Sequence, residues 1–400
     1  MNSDETVVLK FGGTSVGSID LVKSVAQVVK RKLGDFKRVV VVVSAMGHTT
    51  DKLIEEAYAI TPRPNERDVD MLLATGEQMS SALLSIALQA IDVPSIALTG
   101  AQAGFKTIGR HRKNKIENLD ISRIKGLLND YQVIVVSGFQ GINSLGDITT
   151  LGRGGSDTSA VALAAQLGVS CEIYTDVDGI YTTDPRICQK AKRINHLTYE
   201  ETIEMAHLGT KVIEPRSVEM AERYEVPLYL GLNTGSGEGT LIMKEVPEME
   251  RTLIKNVSVL KDILLVIMTY RKEDGINLAD IFKNLADAEV NIDVINHNQL
   301  DEGTVKVTFT CTSDDRYEVE AVLDDLVLNY ELIDGLAKVS VVGTAMRHQS
   351  GVAARVFKLF DDNQIDFYQV TTSEISLSYL IDKTNVTVIV PLLLEAFELD

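Results

Sequence analysis

The sequence predicts an α/β protein in two parts: a mainly parallel sheet sandwiched by helices, then a pair of small α+β units. Three observations carry this. Short apolar runs alternate with helix-period segments through residue 243, the order that builds a parallel sheet. Residues 39–43 are all valine, the pattern of a strand buried on both faces. Beyond the mixed-charge, Pro247-containing stretch 244–251 the order becomes β-α-β-β-α, and it recurs after about 70 residues.

Composition narrows the function. The 400 residues are 45% hydrophobic and 24% charged, enough for two or three globular domains. A net charge of −18 argues against nucleic acid or an anionic membrane as partner, and requires any anionic nucleotide to find a locally basic pocket. The first six residues are polar and acidic, unlike a signal peptide, and no apolar run reaches transmembrane length. Cys171, Cys188 and Cys311 lack metal-type spacing and read as reduced thiols of a cytoplasmic protein.

The chain opens on V-V-L-K-F-G-G-T-S over 7–15, an apolar strand ending in Lys10, Gly12, Gly13, Thr14 and Ser15. Glycines let backbone N–H groups approach an anion, a helix N-terminus adds positive potential, and the lysine adds a mobile charge. It is not a Walker A loop, which places Lys-Ser or Lys-Thr after its last glycine. Ile19, Val22, Ala26, Val29 and Leu33 recur at helical spacing, predicting a helix over 19–33. After the valine strand, 44–50 is a loop with Ser44 and Thr50 at its ends, followed by a helix over 51–60. Asp68 is the expected cap of a long helix over 69–90 that carries Gly76-Glu77. A mid-helix glycine costs about 1 kcal/mol, so something must approach closely there. Strands are expected at 95–98 and 133–137, while 100–120 shows no clear period.

A second glycine-rich loop, L-G-R-G-G-S-D-T-S-A over 151–160, opens a small-residue helix to 167. A strand over 172–175, helices near 199–208 and 215–224, and a strand over 227–232 follow. Gly-Ser-Gly-Glu-Gly at 235–239 reads as a hairpin turn, because a strand rather than a helix comes next. Ligands of such sheets sit beyond the carboxyl ends of the strands, where 7–15, 44–50 and 151–159 can converge. In the second part, strands 263–270, 291–297 and 304–311 intersperse with helices 278–288 and 315–328. Strand 337–342, helix 351–362, strands 365–371 and 375–381 and a helix near 386–398 repeat the plan, which is ferredoxin-like. The last unit lacks a final strand, and 254–260 is a spare one that the two interleaved units could share.

Lys10-Phe-Gly-Gly-Thr-Ser15, Arg153-Gly-Gly-Ser-Asp157 and Thr175-Asp-Val-Asp-Gly-Ile-Tyr-Thr-Thr-Asp-Pro-Arg186, in this order, resemble the aspartokinases of the amino-acid kinase family. The two small units resemble that family's paired ACT domains. The resemblance implies a catalytic domain over 1–243, a linker over 244–251, and ACT-like domains over 252–334 and 335–400, the second a candidate for completion by strand 254–260. It implies ATP-dependent phosphorylation of the β-carboxylate of L-aspartate with Mg²⁺, the first step of lysine, threonine and methionine biosynthesis. Such a carboxylate is already ionised at neutral pH and needs no general base. The chemistry then rests on charge neutralisation and in-line positioning.

By the resemblance, Lys10 and Asp157 are the catalytic pair, with Lys10 at the transferring phosphoryl group. Arg153 clamps the α-carboxylate, Glu77 and Asp157 take the α-ammonium, and Ser44 and Thr50 position the β-carboxylate, with Gly154, Gly155 and Ser156 lining the substrate. Lys10, Phe11, Gly12, Gly13, Thr175, Asp176, Tyr181, Asp184, Arg186 and Lys211 form the nucleotide side. No residue is assigned as a direct metal ligand. Glu214 departs from the family pattern, which has histidine in Glu214-Pro-Arg216. Asn291, Asp293 and Asn298 with Ser373, Glu374 and Ile375 resemble effector sites for lysine, threonine or both, coupled to a homodimer or larger homo-oligomer through the ACT domains. Two rivals are a sister kinase acting on another carboxylate and an inactive amino-acid sensor. The sensor reading would lead us to expect loss of Lys10, Arg153 or Asp157, and all three are present.

Overall fold

The structure is a computed structural model that describes residues 5–245, 254–271, 273, 275–326, 328–344 and 351–400. Most of the expected 244–251 linker lies outside the described residues. The chain divides into two compact units. Segments Thr182–Lys192 and Leu208–Thr210 cluster with the C-terminal unit, and the remainder of the chain through residue 245 forms the N-terminal one.

The first half of the N-terminal unit comprises β1 (Thr6–Phe11), α1 (Ile19–Lys32), β2 (Arg38–Val43), α2 (Thr49–Ile60), α3 (Glu66–Gln89), β3 (Ser95–Leu98), β4 (Phe105–Ile108), β5 (Lys115–Leu119), α4 (Ser122–Leu127) and β6 (Val133–Ser137). It continues through β7 (Gln140–Ile142), β8 (Ile148–Thr150), α5 (Gly155–Leu167), β9 (Cys171–Thr175), β10 (His196–Thr198), α6 (Tyr199–His207), α7 (Pro215–Tyr224), β11 (Leu228–Leu232) and β12 (Thr240–Met243). The main sheet runs β10-β12-β11-β9-β1-β2-β6-β3, and only the β11–β12 hairpin is antiparallel. The featureless 100–120 stretch contributes β4 and β5 to a second sheet of order β5-β4-β7-β8. β4 is only four residues long, and β5, with five, is mostly exposed, so neither period stands out.

Strand alternation decides what each side of the main sheet holds. Val7, Leu9 and Phe11 pack with Val39, Val41 and Val43 against α1 and the end of α3. Val8 and Lys10 therefore face the opposite side, where α5 lies on β1, β2 and β9. Residues 155–164 of α5 are all buried, and their small side chains let the helix lie close to the sheet.

Helix α3 begins one turn earlier than expected. Asn65, not Asp68, is its cap, accepting from the Arg67 N–H at 3.0 Å, while Asp68 lies inside the first turn. On length and composition alone α3 could cross a membrane, yet half of its apolar window is buried inside the protein and it buries Asp70 and Glu77.

The C-terminal unit holds β13 (Asn256–Arg271), α8 (Leu278–Asp287), β14 (Ile295–Gln299), β15 (Thr304–Thr312), α9 (Arg316–Asp325), β16 (Tyr330–Val342), α10 (Val352–Asp362), β17 (Phe367–Thr372), β18 (Ser376–Asp382) and α11 (Val386–Ala396). One sheet runs β14-β15-β13-β16-β18-β17. The two strands expected at 254–260 and 263–270 are one long strand, kinked at Asp262, whose φ of 60° marks the irregular register. Residues 256–260 pair with Val342 through Lys338, and 263–271 pair with β15. The expected strand at 291–297 starts late, at Ile295. Helices α8 and α9 cover one half of the sheet, and α10 and α11 cover the other.

Candidate active site

Parallel register aligns the strand ends. Phe11 pairs with Val43 and Tyr174, Val43 with Ser137, and Gly231 with Tyr174. The loops after β1, β2, β6, β9 and β11 thus leave from one edge. Two hydrogen bonds tie the β11 loop to the ends of β9 and β1: Asn233 N–H to Thr175 O at 2.8 Å, and Asn233 Nδ2 to Ser15 Oγ at 3.2 Å.

Lys10, the penultimate residue of β1, points to the α5 side. Its Nζ lies 2.5 Å from Asp157 Oδ1 in the first turn of α5, and both side chains are 11% exposed. Burial of both partners strengthens their attraction and fixes the ammonium in place. Of the two glycine amides expected beside it, that of Gly12 already donates to Tyr174 O at 3.3 Å.

The loop after β2 explains Gly76. Ala45 packs so closely on α3 that a side chain on Gly76 would meet its Cβ at 2.8 Å, and one on Gly13 would meet its carbonyl oxygen at 2.7 Å. This approach brings the Ala45 N–H within 3.0 Å of Glu77 Oε1. Glu77 is 3% exposed, and its Oε2 has no hydrogen-bond partner among the described residues. Burial raises the pKa of its carboxyl to about 7, with the Ala45 N–H opposing the rise. Ser44 and Thr50 flank the same loop, both half-buried.

Arg153 is exposed and precedes Gly154, the α5 N-cap, which has φ 66°. The left-handed turn and the Glu214 side chain, 2.3 Å from where a Cβ would stand, leave room only for glycine. Gly155 and Ser156 follow, buried. The Glu214 carboxyl is pushed up by burial first and by Asp157 second, against the pull of Arg153, Arg216 and His207.

Several further residues carry this loop. Asp70 is fully buried and accepts from Thr150 Oγ1 at 2.5 Å and from the Arg112 N–H at 3.1 Å, while His111 Nδ1 lies 2.7 Å away. Arg216 donates to Leu151 O at 2.9 Å and Asn114 O at 3.3 Å. Sequence reasoning missed them, although Asp70 stands seven residues before Glu77 on the same face of a largely apolar helix.

Of the residues expected to face a nucleotide, Thr175 ends β9 and donates to Asp176 at 2.9 Å, Tyr181 donates to Asp178 at 2.9 Å, and Lys211 is exposed. Asp184 and Arg186 pair with each other at 2.7 Å within a segment of the C-terminal unit, so the N-terminal unit does not gather them with Lys10.

In the C-terminal unit, Asp293 is held by Lys338 of β16, whose side chain is only 9% exposed. Gln369 of β17 donates to Thr308 of β15 at 3.3 Å, a side-chain link between the two halves of the sheet. Asn291 and Asn298 are exposed on and before β14. At the other candidate, the Ile375 N–H donates to Ser373 Oγ at 3.3 Å, Glu374 is exposed, and Ile375 is buried.

Comparison with known proteins agrees with this architecture. The Amino acid kinase family matches over residues 5–231, and the ACT domain over 339–397. The aspartokinase of Geobacillus stearothermophilus is 42% identical over 397 residues, 98% of this chain and 97% of that relative. The crystal structure of E. coli aspartokinase III in complex with aspartate and ADP (R-state) is similar at a TM-score of 0.79 and 26% identity, over 98% of this chain and 99% of that one. The same enzyme in complex with lysine and aspartate (T-state) gives a TM-score of 0.78 over the same shares, also at 26% identity. The chain belongs to the amino acid kinase family, and within it to the aspartokinases.

Proposed function

We propose that this chain transfers the γ-phosphoryl group of ATP to the β-carboxylate of L-aspartate, giving 4-phospho-L-aspartate and ADP, and that lysine, threonine or both inhibit it through the ACT repeats. The observation that carries the reading is Glu77, a buried carboxylate with one oxygen held by the Ala45 N–H and the other without a protein partner. Such a group is stabilised by an ammonium, and a free amino acid brings one.

Arg153, at the mouth of the neighbouring loop, receives the α-carboxylate in fork geometry. Ser44 and Thr50 direct the β-carboxylate, and Gly154, Gly155 and Ser156 line its approach. The β-carboxylate oxygen attacks phosphorus, the bond to the ADP oxygen breaks, and no proton moves. Lys10 meets the charge that spreads over the transferring group, and Asp157 keeps its ammonium in position beforehand, so little reorganisation is needed. Thr175, Asp176, Tyr181 and Lys211 take the nucleotide. Among the described residues no three His, Cys, Asp or Glu side chains converge on a metal position. A Mg²⁺ carried by the nucleotide phosphates would supply charge neutralisation there.

ADP release with Mg-ATP tests the reading, comparing L-aspartate with L-glutamate and repeating with lysine and threonine. Turnover with aspartate supports it. A folded protein that binds ATP and releases no ADP with aspartate overturns it, and a cytoplasmic homo-oligomeric enzyme of this kind would then give way to the sensor reading.

A further inference from the structure

We propose that Asp70 is a positioning residue that sets Arg153 for the substrate carboxylate, so that α3 determines both ends of the amino acid: Glu77 directly and Arg153 through Asp70. The inference rests on the reading of Arg153 as the α-carboxylate clamp.

Asp70 is 0% exposed, and its contacts converge on one place. Oδ1 accepts from Thr150 Oγ1 at 2.5 Å and from the Arg112 N–H at 3.1 Å, and Oδ2 faces His111 Nδ1 at 2.7 Å. Thr150 is the last residue of β8, three before Arg153. The 110–114 turn that Asp70 grips lies under the same loop. The Asn114 N–H donates to Thr150 O at 3.1 Å, and a side chain on Gly152 would meet Arg112 O at 3.1 Å. Arg216 closes the frame from α7 through Leu151 O and Asn114 O. Both oxygens of a buried carboxylate are thus engaged by the two segments that support Leu151-Gly-Arg153. A carboxylate needed only to satisfy a helix face would not be tied to two segments 41 to 80 residues away. Arg153 is itself exposed, and the backbone beneath it is tied to α3 through Asp70.

The test is steady-state kinetics of the full chain with Mg-ATP and L-aspartate for wild type, Asp70→Asn, Thr150→Val, Arg153→Ala and each double variant with Arg153→Ala. The expected result is a KM for aspartate raised about tenfold in Asp70→Asn, with kcat and the KM for ATP changed less than about twofold. In the Arg153→Ala background the same change should add nothing, because the group being positioned is gone. A purely structural role would lower kcat, move both KM values, or add its full effect to Arg153→Ala, and any of these overturns the proposal. If Asp70→Asn does not fold, Thr150→Val removes one of the same hydrogen bonds with little change of shape and decides the question by the same criteria. Wild type that releases no ADP with aspartate refutes the functional reading itself. Wild type that turns over while Asp70→Asn keeps the wild-type KM refutes only this inference.

Discussion

Two lysine–aspartate pairs, one in each unit, are built differently. Lys10 and Asp157 are both 11% exposed, whereas Lys338 is 9% exposed and its partner Asp293 45%. The first pair is closed to water on both sides, so its geometry is fixed before any ligand arrives. In the second, only the lysine is enclosed, and the carboxylate can be solvated or change partner at small cost. The difference fits the roles we propose for the two pairs. A transferring phosphoryl group needs a charge that does not move, while an effector must be able to alter the contacts of its site. Glu77 stands apart from both, buried like the first pair but with one oxygen that has no hydrogen-bond partner among the described residues.

The largest expected effect breaks the closed pair. Lys10→Met should lower kcat about a thousandfold. It should also destabilise the fold by about 3–5 kcal/mol, because Asp157 is left buried without its cation. Adding Asp157→Asn should return most of the melting temperature and none of the turnover, separating the pair's structural role from its catalytic one.

Next comes Glu77. Glu77→Gln should raise the KM for aspartate about 10- to 100-fold, the worth of a charge-assisted hydrogen bond. Burial raises this carboxyl to about 7, and only its ionised form attracts an ammonium. The wild-type KM for aspartate should therefore rise as pH falls through that value, and the glutamine variant should lose the trend. A flat wild-type profile would remove Glu77 from ammonium recognition.

How much of this was legible in the sequence follows from the range of the forces involved. The valine run of β2, the strand–Lys–Gly-Gly opening and the small-residue start of α5 are local patterns, and each marks its own element. The crowding at Gly76 could be anticipated because a mid-helix glycine is costly, although only the fold shows that Ala45 causes it. The Asp70 frame was not legible, since it joins residues 41 to 80 positions apart that no spacing rule connects. The helix cap was misplaced for a local reason: Asn65 and Asp68 are both good caps, and one turn of helix separates them.

A smaller effect sharpens the contrast from the open side. Lys338→Met releases Asp293 to bind an ammonium from solution. The half-inhibiting concentration of whichever of lysine or threonine inhibits should fall about threefold, the modest change expected where the carboxylate partner is solvated, with uninhibited turnover retained. Inhibition titrations decide it. An unchanged or higher concentration would mean that Lys338 shapes the effector site rather than competing for Asp293.

The smallest effect is expected at Glu214, and its sign is the informative part. The carboxylate packs against Gly154 beside Arg153, so it competes with the substrate's α-carboxylate for the same guanidinium. It is half-buried, and solvent screens it, so Glu214→Gln should lower the KM for aspartate only about threefold. Burial and Asp157 hold its carboxyl above the ordinary range, while Arg153, Arg216 and His207 pull the other way. As pH falls through its ionisation the competing charge disappears and aspartate binds better, the reverse of the trend set by Glu77. Where the two ionisations overlap their slopes oppose each other, so removing Glu214 should steepen the acid-side rise in KM there, and removing Glu77 should expose a shallow fall. Measuring both variants across the same pH range separates a carboxylate that holds the substrate's cation from one that holds back its anion.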